Sequence, residues 1–199
     1  MEAAGESRIA PLSGIDLADA LPALAALRIK VFRAYPYLYD GDRAYEESYL
    51  RAYADSPGAV VVGAWDGDRL VGAATGAPME DHAEAFAQPF AERGRRLDEI
   101  FYCGESVLLP DYRGRGIGHA FFDHREAQAR SLGRRYACFC AVIRPTDHPQ
   151  RPPDYSPLDP FWRKRGYAPV DGVIAHFPWR EIGQAGETEK PMQFWLRAL

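Results

Sequence analysis

One segment in the middle of the chain limits the possible folds more than any other part of the sequence. Two apolar runs flank a glycine-rich loop and a stretch of helical spacing, with Pro110 closing the first run and Gly133 ending the helical stretch. The pattern predicts a strand, a loop, a helix and a second strand, at residues 99–109, 111–115, 116–132 and 136–143. The chain is therefore expected to contain an α/β unit with a glycine loop at a helix N-terminus.

The glycine loop carries the run RGRGIG at residues 113–118. The first turn of a helix leaves about four backbone N–H groups unpaired and partly positive, and glycines let the backbone approach a diphosphate closely. A Walker loop would need Lys and Ser/Thr where this chain has His119 and Ala120, and the dinucleotide fingerprint would need glycine at His119. Two alternatives stay open, a diphosphate-binding loop and a tight turn without a ligand.

Three loop residues, Arg113, Gly116 and Gly118, match in order the signature Gln/Arg-x-x-Gly-x-Gly/Ala of the GNAT superfamily of N-acetyltransferases, which the chain resembles. The runs GESVLLP and YACFCAVI and the later FWRKRGY fall where that fold has its fourth strand, fifth strand and late helix. The resemblance implies one mixed α/β domain over residues 1–199. Its central twisted, mostly antiparallel sheet would have about six to seven strands flanked by helices, with strands four and five parallel and splayed.

Local patterns outside this segment predict further elements of the same domain. Strands are expected at residues 8–12, 59–65, 69–77, 168–178 and 188–197, and helices at residues 15–35, 44–54 and 158–165. Residues 80–96 are Ala-rich and charged, but Pro89 argues against one continuous helix there.

The resemblance also implies where acetyl-CoA would bind. It would lie between strands four and five, with its pyrophosphate on the loop amides and its pantetheine paired along the fourth strand. The cofactor-binding residues would be Val107, Leu108, Leu109, Arg113, Gly114, Arg115, Gly116, Ile117, Gly118 and His119. A backbone N–H near Val107 or Leu108 would meet the oxyanion. Arg115 and His119 could reach a phosphate or could be solvated.

Glu105 is the candidate general base. An acceptor amine with a pKa of about 10.4 is mostly protonated at pH 7, and neutralising it costs roughly 4 to 5 kcal/mol. Glu105 interrupts an apolar strand, on one face with Phe101, Cys103, Val107 and Leu109 if no bulge intervenes, and a charge there needs a cleft or a partner. It could deprotonate the amine directly or through water. The alternative is a structural pair with an arginine such as Arg144.

A general acid for the departing CoA thiolate is harder to assign. The superfamily often uses a Tyr on the late helix, but this chain has Trp162 at that position, and an indole is no acid near neutral pH. Tyr155 is the first candidate, with Tyr102 or water as alternatives. No acid is needed if the thiol, with an ordinary pKa of about 8.5, leaves unaided.

Two loops are candidates for binding the acceptor. Tyr35, Tyr37 and Tyr39 lie between the first two predicted helices, a loop that overhangs the acceptor side of the cleft in the superfamily, although they could simply pack over the sheet. The proline-rich residues 144–160 contain His148 and Arg151, and a stiff loop of this composition suits specificity. On the predicted helix 116–132, Arg125 falls within the apolar arc and is expected to have a buried acidic partner.

Composition excludes several functions. The net charge is −4 without a basic block, which argues against nucleic-acid binding. No apolar run approaches a signal sequence or the roughly 20 residues of a membrane span, so a cytoplasmic protein is expected. Three cysteines without metal-ligand spacing predict buried free thiols and no metal.

The sequence thus predicts an N-acetyltransferase that moves acetyl from acetyl-CoA to a primary amine by direct attack on the thioester. The acceptor could be a small molecule, an amino acid or a peptide or protein side chain. The alternatives are a non-catalytic acyl-CoA-binding or sensory domain on the same fold, and an interaction module whose loop is only a turn. A homodimer paired through the edge of a C-terminal strand, such as residues 193–197, is also considered.

Overall fold

The computed structural model describes residues 7–82 and 84–199, and within them a seven-stranded sheet is flanked by five α-helices. The strands are β1 (Arg8–Leu12), β2 (Val60–Asp66), β3 (Arg69–Pro78), β4 (Ile100–Leu108), β5 (Tyr136–Val142), β6 (Ala168–Arg180) and β7 (Glu187–Ala198). The helices are α1 (Gly14–Phe32), α2 (Arg43–Asp55), α3 (Glu84–Ala91), α4 (Ile117–Ser131) and α5 (Asp159–Lys164). Residues 80–96 do not form one helix, as expected, although Pro89 lies inside α3 rather than at its end.

The sheet has the order β1-β2-β3-β4-β5-β7-β6, and every neighbouring pair is antiparallel except β4 and β5. That parallel pair is short. Residues 100–102 pair with residues 136–138, and beyond them the two strands no longer pair. The predicted fold class is confirmed: a mixed α/β domain whose mostly antiparallel sheet has parallel, splayed strands at its centre.

A β-bulge in β4 lies where the two strands separate. Ala74 of β3 pairs with Ser106 and Gly76 pairs with Cys103, so Gly104 and Glu105 together lie opposite one residue of β3. Such an extra residue reverses the alternation of side chains along the strand. A Cβ at Gly104 would overlap the hydroxyl oxygens of neighbouring side chains, so only glycine fits there.

The bulge corrects one expectation about the face on which Glu105 lies. Phe101 and Cys103 pack in one apolar cluster with residues of α4, whereas the Glu105 side chain reaches Arg28 of α1 and Tyr49 of α2 on the opposite face. The unbroken alternation through Phe101, Cys103, Glu105, Val107 and Leu109 is therefore wrong, because the bulge inserts a residue between Cys103 and Glu105.

Helices cover both faces of the sheet. Leu17, Leu21 and Leu24 recur at helical spacing on α1 and are buried against the sheet. On the other face, Arg125 of α4 donates from Nη2 to Ser106 Oγ at 2.8 Å. Neighbouring β4 residues thus contact helices on opposite sides, which places the splayed strands between two packed layers.

The C-terminal strand is internal. β7 pairs with β5 along one edge and with β6 along the other. Residues 193–197 consequently have no free edge, and the dimer contact considered from the sequence is wrong in that detail. The edges of this sheet belong to β1 and β6.

Candidate active site

The separation of β4 and β5 opens a cleft of about 1620 Å³ that extends from the N-terminus of α4 to the loop after α1. Sites for one small ligand usually measure roughly 300–1000 Å³, so this cleft has room for two reactants. Predicted site residues that line it are Tyr35, Tyr37, Tyr39, Glu105, Leu108, Arg113, Gly114, Gly116, Gly118, His119, Arg151 and Tyr155. Val107, Leu109, Arg115, Ile117 and His148 are not among the lining residues.

The start of α4 presents a row of free amides. Gly114 and Gly116 have φ of 75° and 83°, a left-handed backbone that glycine adopts without strain. Gly116 also caps the helix through its carbonyl, which accepts from the N–H groups of His119 and Ala120. Within the described residues, none of the five N–H groups of residues 114–118 donates to a protein acceptor. These donors fit a diphosphate.

The side chains of the loop point in different directions. Arg113 is exposed and lines the cleft, while Arg115 donates back to the carbonyl of Asp111 at 2.8 Å. Ile117 is 2% exposed and anchors the helix start in the core, so only its N–H could meet a ligand. His119 lies 3.2 Å from Arg165 through Nδ1 and packs on a ring of α5.

The backbone of β4 beyond the bulge is directed alternately towards β3 and towards the open gap. Leu109 N–H donates to the Val71 carbonyl at 2.9 Å, which makes that pair a hydrogen-bonded one. Antiparallel pairs alternate, so Val107 also bonds to β3, and Leu108 directs its N–H and C=O towards the gap. Of the two residues considered for the oxyanion, Leu108 therefore presents a free amide to the cleft.

Glu105 is 8% exposed and lines the cleft beside the bulge. Its Oε2 accepts from the Tyr49 hydroxyl at 3.1 Å, and its Oε1 forms an ion pair with Nη1 of Arg28. The pairing with Arg144 is wrong: Arg144 lies 2.5 Å from Glu181 and also donates to the carbonyl of Pro36. The register of β4 explains this, since the bulge turns Glu105 towards α1 and α2.

A second carboxylate shares the same arginine. Glu46 of α2 is fully buried, and its Oε2 accepts from Nε of Arg28. Burial alone would lower the pKa of Arg28, but the nearby charges, Glu105 foremost, raise it well above its ordinary value. The arginine therefore stays charged between Glu46 and Glu105, and all three side chains line the cleft.

These partners were missed from the sequence, although a signal was present. Arg28 continues the buried stripe of Leu17, Leu21 and Leu24 on α1, and Glu46 begins a buried stripe on α2. A charged residue at an apolar position of a helix needs a partner or a role.

The two acceptor-side loops meet at a cluster of rings. The Tyr35 ring lies 4.7 Å from that of Tyr155 and 5.6 Å from that of His148, and the Arg151 guanidinium lies 5.1 Å from the Tyr155 ring centre. Burial raises the pKa of the Tyr155 hydroxyl above its ordinary value. The structure thus brings together three residues that the sequence assigned to the acceptor, Tyr35, His148 and Arg151, with the candidate acid Tyr155.

Tyr37 and Tyr39 take different positions. Tyr37 is packed between Phe32 and Trp179, and burial raises its pKa. Tyr39 lies beside Glu46, and its pKa is raised by burial first and then by that carboxylate. Both line the cleft and also pack against neighbouring side chains.

Two other tyrosine and tryptophan positions bear on the general acid. Trp162 packs on Phe139 and Trp195 at 5.0 and 5.1 Å between ring centres and lines the cleft. The Tyr102 hydroxyl lies 3.2 Å from Cys140 Sγ, and burial raises the pKa of both groups, that of Cys140 to about 12. All three cysteines are free and buried, as predicted.

Arg125 differs from the expectation of an acidic partner. It is 1% exposed and donates to the carbonyls of Phe121, Thr75 and Glu105 and to Ser106 Oγ. No carboxylate of the described residues forms an ion pair with it. Carbonyls at the β3–β4 bulge, together with that of Phe121 one turn earlier on α4, take the place of a carboxylate.

Two further findings concern the described residues as a whole. No helix among residues 7–82 and 84–199 has both the length and the apolar character needed to cross a bilayer. No group of three or more His, Cys, Asp or Glu side chains in the same part of the chain is placed to hold a metal ion.

Comparisons with known proteins agree with this geometry. The model of the acetyltransferase (GNAT) family matches residues 24–152, whereas no curated protein sequence matches the chain. A presumed acetyltransferase from Salmonella typhimurium, solved with its cofactor acetyl-CoA, superposes with a TM-score of 0.62 at 12% identity over 97% of this chain and 94% of that one. A ribosomal-protein-alanine N-acetyltransferase from Brucella melitensis gives 0.62 at 15% identity, over 96% and 99%. A presumed acetyltransferase from Acinetobacter baylyi gives 0.66 at 11% identity, over 100% and 95%.

At these low identities the structural likeness establishes the fold alone. The family match is different in kind, because it spans more than half of the 199 residues and includes the glycine loop, β4 and β5. The chain belongs to the acetyltransferase (GNAT) family.

Proposed function

We propose that this protein transfers an acetyl group from acetyl-CoA to a primary amine, which attacks the thioester directly. The observation that carries the proposal is one continuous cleft with different chemistry at its two ends. Free amides at the start of α4 lie at one end, and the buried carboxylate of Glu105 lies towards the other. A transferase that joins an anionic donor to a cationic acceptor needs this separation.

The donor end fits the diphosphate of acetyl-CoA. The N–H groups of residues 114–118 offer five donors to phosphate oxygens, and the helix dipole favours negative charge there. Arg113, an exposed side chain that lines the cleft, adds a positive charge at the same end. Acetyl-CoA supplies the activated acyl group, and the N–H of Leu108 is the amide that would stabilise the oxyanion formed from its carbonyl.

The acceptor end handles a proton. A primary amine arrives mostly as the ammonium ion and must lose one proton before its nitrogen can attack. Glu105 lies in the cleft and is oriented by Tyr49 and Arg28, so it can take this proton directly or through a water molecule. Tyr35, Tyr37, Tyr39 and Arg151 line that end of the cleft and would enclose the acceptor, with His148 packed against Tyr35.

Collapse of the tetrahedral intermediate breaks the carbon–sulfur bond and releases CoA. Tyr155 is the hydroxyl available to protonate the sulfur, since Trp162 cannot serve and Tyr102 is buried against Cys140. Burial raises the pKa of Tyr155, so this hydroxyl keeps its proton at neutral pH. A thiolate is in any case a good leaving group, and loss of Tyr155 should slow the reaction less than loss of Glu105.

The test has two stages. In a thermal-melt series, acetyl-CoA and CoA at 100 times their dissociation constants should each stabilise the protein by about 2.7 kcal/mol, and ATP and NADH at the same concentrations should not. For a chain of this length that corresponds to a rise of roughly 5–11 °C. Release of CoA thiol is then measured with a panel of amines. No shift with either CoA species, or no turnover with any amine, would contradict the proposal.

One observation favours the alternative of a non-catalytic acyl-CoA-binding domain. Glu105 is already held in an ion pair with Arg28, and a base in such a pair is less available for proton transfer. The Glu105→Gln variant separates the two functions. An enzyme loses turnover and keeps CoA binding, whereas a binding domain shows no turnover to lose.

A further inference from the structure

The loop between α1 and α2, residues 33–42, links the two sides of the cleft. Both helices pack in one apolar cluster with β2, β3 and β4. The loop instead pairs with the end of β6 and the turn that follows it. Asp40 N–H donates to the Arg180 carbonyl at 2.9 Å, and Ile182 N–H donates to the Leu38 carbonyl at 2.9 Å. The loop therefore joins helices on one side of the strand separation to a strand on the other side.

Arg144 holds the same loop from the end of β5. It is the second residue after that strand, and its side chain is 11% exposed. Its Nε donates to the Pro36 carbonyl at 2.7 Å, and its Nη2 donates to the Tyr37 carbonyl at 3.2 Å. The same Nη2 lies 2.5 Å from Glu181 Oε1, in the turn after β6. The planar guanidinium, with N–H groups fixed in different directions, thus joins the ends of β5 and β6 to the loop.

The ion pair by itself does not account for this arrangement. Glu181 is 7% exposed and balances the charge of Arg144, but both residues follow strands of the same side of the cleft. The donations to Pro36 and Tyr37 are the contacts that reach the loop carried by α1 and α2. The Trp179 indole N–H donates to the same Tyr37 carbonyl at 3.0 Å. Two side-chain donors from the β5–β7 side therefore fix one peptide group of the loop.

The fixed part of the loop lies at the acceptor end of the cleft. Tyr35, Pro36 and Tyr37 line the cleft there, as does Arg144 itself. The helices on either side of the loop carry the two side chains that orient Glu105. A shift of the loop would change the space between its rings and this carboxylate. The free amides at the start of α4 lie at the other end of the cleft and would not be affected.

We propose that Arg144 is a positioning residue for the acceptor: it holds residues 33–42 across the cleft, sets the width of the acceptor end, and touches neither the thioester nor the reacting amine. The inference deepens the proposed function and rests on it. Loss of the contacts made by Arg144 should weaken acceptor binding and leave acetyl-CoA binding unchanged.

The kinetic experiment compares Arg144→Gln with the unaltered protein by CoA release, with butylamine, ethanolamine and triglycine in the amine panel. The variant loses charge-assisted hydrogen bonds to the loop, so KM for each amine that is turned over should rise about tenfold or more. KM for acetyl-CoA, and its dissociation constant by calorimetry, should stay the same. An unchanged KM for the amines overturns the inference and leaves the proposed function intact. Turnover of no amine by the unaltered protein, while acetyl-CoA still binds, overturns both.

Arg135→Gln is the matched control. Arg135 precedes the other end of β5, pairs with Glu99 at the surface and is not among the residues that line the cleft. Its replacement should leave KM for both substrates unchanged. An equal rise of the amine KM in Arg135→Gln and Arg144→Gln would refute the assignment of this role to Arg144.

Hydrogen exchange measures the fixing of the loop without any turnover. The amides of Asp40 and Ile182 bond between the loop and the β6 side, so opening of the loop exposes both. In Arg144→Gln they should exchange at least about tenfold faster, while the amides of β2 and β3 keep their rates. Unchanged exchange at both amides would overturn the inference.

The unaltered protein provides a test if Arg144→Gln does not fold. The amides of Thr146 and Asp147 are in an exposed turn and donate to no backbone acceptor among the described residues. Asp40 and Ile182 amides should exchange at least about tenfold more slowly than these two. Similar rates for the two pairs would show that the loop is not held across the cleft, and the inference would be wrong.

Discussion

Replacement of Gly116 by alanine should separate cofactor binding from stability. Gly116 has φ of 83° at the start of α4, and a Cβ there would meet nothing within 4 Å. The direct cost of Gly116→Ala is therefore backbone strain, about 1–2 kcal/mol for an L-residue in the left-handed region. In a chain of this length each 1 kcal/mol lowers Tm by roughly 2–4 °C, so the expected drop is about 2–8 °C.

The effect of Gly116→Ala on CoA affinity should be much larger than its effect on stability. If the alanine moves the loop enough to lose two of the amide bonds to the diphosphate, each worth about 1.5–3 kcal/mol, the loss is roughly 3–6 kcal/mol. That corresponds to a dissociation constant about 10² to 10⁴ times higher. Titration calorimetry with CoA measures it.

Gly133 provides a matched control at the other end of the same helix. It also has positive φ, 68°, and open space around its Cβ position. Gly133→Ala should lower Tm by a similar amount and leave CoA affinity unchanged. Identical dissociation constants for the two variants, or an equal loss of affinity in both, would refute the assignment of the loop amides to the diphosphate.

Three further predictions concern the acceptor side and stability. Glu105→Gln should lower kcat by about 10² to 10⁴-fold in the CoA-release assay while calorimetry shows unchanged acetyl-CoA affinity; retained kcat would exclude it as the base. Glu126 is 3% exposed and accepts hydrogen bonds from two arginines and from Tyr167. The substitution Glu126→Gln should therefore lower the unfolding free energy by about 3–5 kcal/mol. Asp123 is exposed, so Asp123→Asn should lower the unfolding free energy by less than about 0.5 kcal/mol. Equal losses in the two variants would show that burial of Glu126 is not the cause of its effect. Burial lowers the pKa of His82 from 6.5 to about 4, so between these values the unfolded chain binds a proton that the folded protein does not. Unfolding free energy should therefore fall by up to ~1.4 kcal/mol per pH unit from pH 6.5 to 4, in urea titrations, and His82→Phe should flatten that slope.

Features that depend on neighbouring residues were predictable from the sequence. The glycine loop, the flanking apolar runs and the hairpin at β2 and β3 are set by local spacing and turn chemistry, so the order of elements and the start of α4 followed from pattern alone. The prediction that β4 and β5 are parallel and splayed depended on the family resemblance, because two apolar runs alone do not indicate how their strands pair.

Features that depend on distant residues were not predictable. Arg144 was the example given for a possible structural partner of Glu105, whereas the partner is Arg28, because a bulge of one residue turns the side chain to the opposite face. That bulge is accommodated by the glycine at position 104, whose backbone approaches the side chains of α2 and β3. No local pattern in β4 reports the packing of a helix some fifty residues earlier.

The short pairing between β4 and β5 has a mechanical consequence. Three residue pairs join the part of the sheet formed by β1 to β4 to the part formed by β5, β6 and β7. The strands within each part pair over longer stretches. A small change in the angle between these two parts of the sheet therefore distorts only the few hydrogen bonds between β4 and β5. A ligand bound in the cleft between β4 and β5 would fix that angle. We therefore expect the sheet to become stiffer when the cleft is occupied. Binding of the acetyl donor would then determine the shape of the acceptor end of the cleft.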